Sequence, residues 1–146
     1  MATTAPKYLP DTSILVHYVR QSALYQRVSA NYPLAPTDLP PVLSIVTVGE
    51  ILSLAEQLNW GADCRQRAET FISRCQVYSL DYPGIIPAYI ELDNESRRLG
   101  RRMGDDDLWI AATARTIGTT LLTTDKDFDH LTPLFLQRVW IDPSVP

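Results

Sequence analysis

Cysteine and histidine are scarce in this sequence of 146 residues, which has two of each. Cys64 and Cys75 show neither a C-x-x-C spacing nor companion histidines, which argues against a zinc site or a redox pair. They read as free, buried or half-buried thiols of a reducing compartment. His17 and His130 stand alone and read as ordinary packing or surface residues. Long apolar runs are missing as well: no stretch approaches the roughly 18 residues of a membrane span, and the opening MATTAPKYLP has no apolar signal core. The expectation is a cytoplasmic protein without a membrane contact. Nor is there a basic excess, the net charge being −4 and the isoelectric point about 5.0. A surface that attracts nucleic acid everywhere is thereby excluded, and any such contact must be local.

What is present is an apolar share of 45% over a length typical of one domain, enough for a continuous core. A single domain over residues 1–146 is expected. Lys7 to Pro10 reads as a short strand ending at Asp11, and Thr12 to Arg20 as a helix. The proline-dense NYPLAPTDLPP, residues 31–41, reads as a connection. Ser44 caps a helix from Ile45 to Asn59, which has Val46, Gly49, Glu50, Ile51, Leu54 and Leu58 at spacings of three and four. A second helix, Ala62 to Arg74, turns Cys64, Ala68, Phe71 and Ile72 inward and precedes a strand, Val77 to Leu80. Ile85 to Leu99 is the next helix, stopped by Gly100. Asp105 or Asp106 then caps a helix that ends at Gly118, with Asp107, Ile110, Ala111 and Ala114 on one face. Thr119 to Thr124 and Arg138 to Ile141 complete the strands. Alternating strands and helices imply an α/β fold with a mainly parallel central sheet, helices on both faces, and ligands beyond the strands' carboxyl ends.

Four acids stand out against this frame. Asp11 and Asp125 each follow a strand directly, so a parallel sheet projects both from one edge. Asp107 opens a helix whose N-terminus points toward that edge, and Glu50 interrupts an apolar helical stripe. An ionised carboxylate facing the interior is costly unless it is paired or coordinates a metal. Oxygen donors without clustered histidine or cysteine suit a hard cation, Mg²⁺ or Mn²⁺, and such sites favour phosphate chemistry. Asp11 and Asp107 are candidate direct ligands. Glu50 and Asp125 are candidates for a second ion, for holding metal-bound water, or for a base.

The segments YLPDTSILVHYV, VTVGEILSL, GDDDLWIAATA and LLTTDKDF, in that order, resemble the PIN-domain nucleases, and especially the VapC toxins of bacterial toxin–antitoxin pairs. The resemblance covers nearly the whole chain and implies a three-layer PIN-like fold. It implies a Mg²⁺-dependent endoribonuclease, with Asp11, Glu50, Asp107 and Asp125 as the metal-binding and catalytic acids. It further implies RNA as substrate, homodimerisation, and a cognate VapB-like antitoxin that covers or blocks the site. Two departures are visible. Ser13 stands where many relatives have asparagine, and Pro10 removes a backbone donor just before Asp11. Asp107 is the third acid because it directly precedes LWIAATA, with Asp105 as the fallback.

Other residues carry weaker expectations. Asp127 and Asp129 read as surface acids, and Trp109 as a core or dimer contact. Arg97, Arg98, Arg101 and Arg102 form a basic cluster suited to a phosphate backbone, or to docking a protein partner. Thr12, Ser13 and Thr124 adjoin the acids closely enough to hydrogen-bond a carboxylate or a phosphate. A haloacid-dehalogenase-type phosphatase is disfavoured by Ser13, where that chemistry wants a second acid, and by the absence of a lysine between the outer motifs, the only lysines being Lys7 and Lys126. The alternatives are a housekeeping RNA-processing nuclease of the same type and a PIN-like binding module with weak catalysis.

Overall fold

Five short strands alternate with six α-helices in residues 8–34 and 40–144, the part of the chain that this computed structural model describes. The order is β1 (Tyr8–Pro10), α1 (Thr12–Arg20), α2 (Ala23–Asn31), β2 (Val42–Ser44), α3 (Ile45–Gln57), α4 (Ala62–Arg74) and β3 (Gln76–Tyr78). After these come α5 (Ile85–Arg98), α6 (Asp105–Ile117), β4 (Thr120–Thr123), a 3-10 helix (Lys126–Leu131) and β5 (Arg138–Trp140). Lys7, the first residue of the expected opening strand, lies outside the described residues.

Every strand pair is parallel, an arrangement that the crossover connections between the strands permit. β4 lies between β1 and β5, with Leu9 opposite Leu121 and Leu121 opposite Arg138. β2 pairs with β3 and packs beside β1, yet among the described residues the two halves keep separate ladders. Pro10 supplies a physical reason. The Asp11 amide donates to Leu122 of β4 at 2.8 Å, and strand alternation then turns residue 10 toward β2, where proline has no N–H to offer.

The same alternation sorts the core into two faces. Leu43 and Leu122 pack with Ile14, Leu15 and Val19 of α1, Ile51 of α3 and Phe71 of α4. Leu9, Val42 and Leu121 point the other way and pack with Ile85 and Leu92 of α5, Ile110, Ala111 and Ala114 of α6, and Phe128 of the 3-10 helix. Each fully buried leucine or isoleucine contributes on the order of 1.5–3 kcal/mol through removal of its surface from water. The outcome is the expected three-layer α/β fold, helices covering both faces of a parallel sheet.

Two elements escape the sequence pattern. α2 has only Leu24 and Val28 buried, one pair at i and i+4, and rests on Ser22, whose hydroxyl caps Tyr25 at 3.3 Å. β2 is three residues long and follows two prolines, but Val42, Leu43 and Ser44 are all fully buried. Residues 35–39 of the expected connection lie outside the described residues. On α3, Leu58 is 52% exposed and Gly49 is also exposed, so the buried stripe is narrower than the spacing suggests and centres on Thr47, Ile51 and Ala55.

Candidate metal centre

Asp11 ends β1 and caps α1. Its extended backbone (φ −64°, ψ 160°) lets Oδ1 accept from the Thr12 amide at 2.8 Å, which satisfies one of the donors that a helix start leaves free. Oδ2 accepts from the Thr123 hydroxyl at 2.8 Å and from Ser13 at 3.4 Å. Thr123 sits fully buried at the end of β4, and its oxygen also accepts the Asp125 amide at 3.0 Å. One hydroxyl therefore joins the two strand ends that carry Asp11 and Asp125. Ser13 accepts the Thr124 amide at 3.4 Å, a second and weaker tie between the same two segments.

Glu50 enters from α3. Its Oε1 accepts the Thr12 hydroxyl at 2.7 Å, and Thr12 also lies 3.2 Å from the buried Thr47 hydroxyl. Thr12 thus holds Asp11 through its amide and Glu50 through its side chain. Asp107 stands half-buried in the first turn of α6. The cap expected at Asp105 or Asp106 is instead Gly104, which provides no side-chain bond, and all three acids fall inside the first turn. Negative charge there is favoured by the helix dipole. Asp105 is exposed and accepts the Tyr89 hydroxyl at 2.8 Å, while Asp106 lies near Glu50. Geometry therefore favours Asp107 over the fallback Asp105.

These carboxylates share one electrostatic field. Burial pushes the Asp107 carboxyl up to about 7, and the charges of Asp11, Asp125, Asp127 and Glu50 push in the same direction. Burial also raises Asp11, against the lowering effect of its Thr123 and Thr12 hydrogen bonds, with Asp125 adding to the rise. Glu50 is raised first by burial and then by Asp106 and Asp11, partly offset by Thr12. Asp107 thus lies within electrostatic reach of the other three expected acids. No lysine or arginine pairs with any of them among the described residues.

A fifth acid joins them. Asp107, Asp125 and Asp127 each offer one oxygen, and these atoms lie within 4.8 Å of one another. The Asp127 amide donates to Asp125 Oδ1 at 2.8 Å at the start of the 3-10 helix, and this turn brings its carboxylate back toward Asp125. Asp127 is exposed, as the sequence suggests, but it belongs to the acidic group. Its i+2 spacing from a capping aspartate was the available signal. Asp129 is a surface acid and pairs with Arg138 at 3.3 Å. His17 and His130 bond to Ser22 and Ser96 at 2.8 and 2.7 Å and take no part. Trp109 is half-buried and stacks on Tyr89 with ring centroids 3.9 Å apart. Cys64 and Cys75 are free and half-buried, and burial pushes the Cys75 thiol up to about 12.

Oxygen-only donors, paired with no side-chain cation among the described residues and gathered near the carboxyl ends of parallel strands, fit a hard divalent ion. Fold and site together define a three-layer α/β protein with a carboxylate cluster that could hold a metal ion. The family model of the PIN domain matches residues 8–132, and the chain belongs to that family. It is similar to a Ribonuclease VapC1 of Haemophilus influenzae (strain R2866), 30% identical over 132 residues that cover 87% of this chain and 93% of the relative. Among solved structures, VapBC-1 from nontypeable Haemophilus influenzae superposes with a TM-score of 0.66 at 26% identity, covering 91% of this chain and 96% of that one. VapBC2 from Rickettsia felis, bound to a DNA fragment from its promoter, gives a TM-score of 0.72 at 20% identity over 92% and 98% of the two chains. No described helix is long and apolar enough to cross a membrane.

Proposed function

We propose that this chain is a divalent-metal-dependent endoribonuclease, a single PIN-like unit over residues 1–146 that acts in the cytoplasm as the toxin of a toxin–antitoxin pair. The observation that carries the reading is that Asp107 lies in one electrostatic field with Asp11, Asp125, Asp127 and Glu50, none of them paired with a lysine or arginine among the described residues. The similarity to a protein named Ribonuclease VapC1 supports RNA as the substrate. The likeness to VapBC-1 supports a VapB-like antitoxin as partner. The family resemblance supports homodimerisation as part of the same reading.

Asp11, Asp107 and Asp125, with Asp127 beside them, are the residues that would hold Mg²⁺ or Mn²⁺. Such an ion, when bound, polarises a phosphoryl oxygen and lowers the pKa of its water. The chain itself supplies orientation. Thr12 and Thr123 fix both oxygens of Asp11, so that carboxylate keeps one rotamer without the ion. Glu50, less buried than Asp11 and bonded by Thr12 at Oε1, is the candidate to accept the proton of an attacking water.

The test is induced expression of the wild type and of Asp107→Asn, with new RNA ends mapped across the transcriptome, paired with cleavage of a labelled RNA in Mn²⁺ and in a chelator. Metal-dependent ends that the variant lacks are expected. Wild type that neither slows growth nor produces such ends would overturn the reading.

A further inference from the structure

The four arginines that precede α6 part company in three dimensions. Arg97 and Arg98 lie on α5 and pair with Asp93 and Glu95 at 3.1 and 2.5 Å. Arg101 and Arg102 occupy the loop from Gly100 to Gly104, are exposed, and carry no ion pair among the described residues. With Lys126, Asp127, Asp129 and His130 they line a cleft of about 560 Å³. They also line a hollow of about 280 Å³ with Met103, Gly104, Asp105 and the Asp93–Arg97 pair.

The charges of this cleft do not cancel. Asp129 is neutralised by Arg138, and Asp127 belongs to the acidic group that a cation would neutralise. Arg101 and Arg102 remain, together with Lys126, whose charge also acts on the exposed Asp142. Lys126 is steadied 4.6 Å above the Trp140 ring, immediately after Asp125 in the chain. Asp127 belongs to both the cleft and the acidic group, so the cleft opens onto the metal centre. A phosphate backbone approaching five carboxylates is repelled unless cations beside them offset the field, and arginine's planar fork matches phosphate oxygens. The larger cleft has no apolar side chain in its lining, whereas the centre of a protein interface depends on apolar anchors. A polyanion fits it better than a protein partner.

We infer that Arg101, Arg102 and Lys126 form the phosphate track of a bound RNA strand, which enters the carboxylate centre past Asp127. This rests on the ribonuclease reading and adds the face along which the strand lies. The test uses the full chain carrying Asp107→Asn, so that RNA is not consumed, titrated against a fluorescein-labelled single-stranded RNA of mixed sequence in Mn²⁺ at several salt concentrations. Adding Arg101→Ala and Arg102→Ala together should weaken binding about tenfold and reduce the slope of log K against log salt by about 1.4, the value for two lost phosphate contacts on a single strand. Lys126→Ala, an independent variant should the loop pair misfold, should reduce it by about 0.7. The charge-matched pair Arg20→Ala and Arg74→Ala, on helices across the sheet, should change neither quantity. Unchanged RNA binding in the loop variant, or equal losses in the two charge-matched pairs, overturns the proposal. Intact RNA affinity with an altered oligomeric state would assign the cleft to protein docking instead. The ribonuclease reading fails separately, by absence of cleavage in the chain that retains Asp107.

Discussion

At the scale of single residues, the hydroxyl of Thr123 is the joint between the two strand ends that carry the acids. It donates to Asp11 and accepts from the Asp125 amide while wholly buried. Thr123→Val keeps the shape and removes both bonds, so it should cost about 1–3 kcal/mol in urea denaturation, with Thr123→Ser recovering most of the loss. Equal stabilities of the valine and serine variants would show that the hydroxyl has no such role. Asp107→Asn should act in opposite directions on stability and activity. Removing a half-buried charge that four other carboxylates repel should raise the melting temperature of the metal-free protein near pH 8. Loss of an ion-holding oxygen should lower RNA cleavage at least about a hundredfold. A variant that is neither stabilised without metal nor impaired with it would remove Asp107 from the centre.

At the scale of elements, the most legible pieces were those whose sequence carries both a cap and a period. α6 shows this in Ile110, Ala111 and Ala114, one buried face, and in Gly118, whose left-handed φ of 76° closes the helix. α3 shows it in Ser44, which accepts the Val46 amide at 3.1 Å. Ser44→Ala should therefore cost about 1 kcal/mol, read as a lower urea midpoint at unchanged slope, and a shift of a few tenths would mean that the cap is dispensable. α2 and β2 were not legible because neither carries enough periodic apolar sequence of its own. β2 is a strand because its three residues are buried between neighbours, which is a tertiary cause. Pro10 was recognised as a lost donor, but its consequence depends on which neighbour the donor would have faced. Only the pairing of β1 with β4 answers that.

At the scale of the whole molecule, the acidic centre makes stability depend on pH. Asp107 is raised from 3.8 to about 7, and Asp11, Glu50 and Asp127 are raised as well, each chiefly by burial. A raised carboxyl favours protons in the folded state. Its stabilising contribution is full below about pH 4 and is lost as pH rises through the folded value. In a chelator the melting temperature should accordingly fall from about pH 5 to about pH 8 through these groups, and Mn²⁺ should restore much of the loss at the upper end and little at the lower, where protons compete for the oxygens. A flat profile, or a rise with Mn²⁺ that is the same at both ends, would contradict a shared acidic field.

The sequence by itself determined most of the strands and helices, α2 and β2 excepted, and singled out the four candidate acids, because strand exits, caps and a charge within an apolar stripe are written locally. Asp11 and Asp125 needed only the rule that parallel strands share a carboxyl edge. Tertiary structure alone decided that Asp127 comes within reach of Asp107, and it placed Asp107, the acid preferred from the sequence, in the group while Asp105 bonds to Tyr89. The approach of Asp127 to Asp107 depends on distances between residues on different elements. Such distances follow from how β1, β4, α5 and α6 pack, which local pattern does not encode.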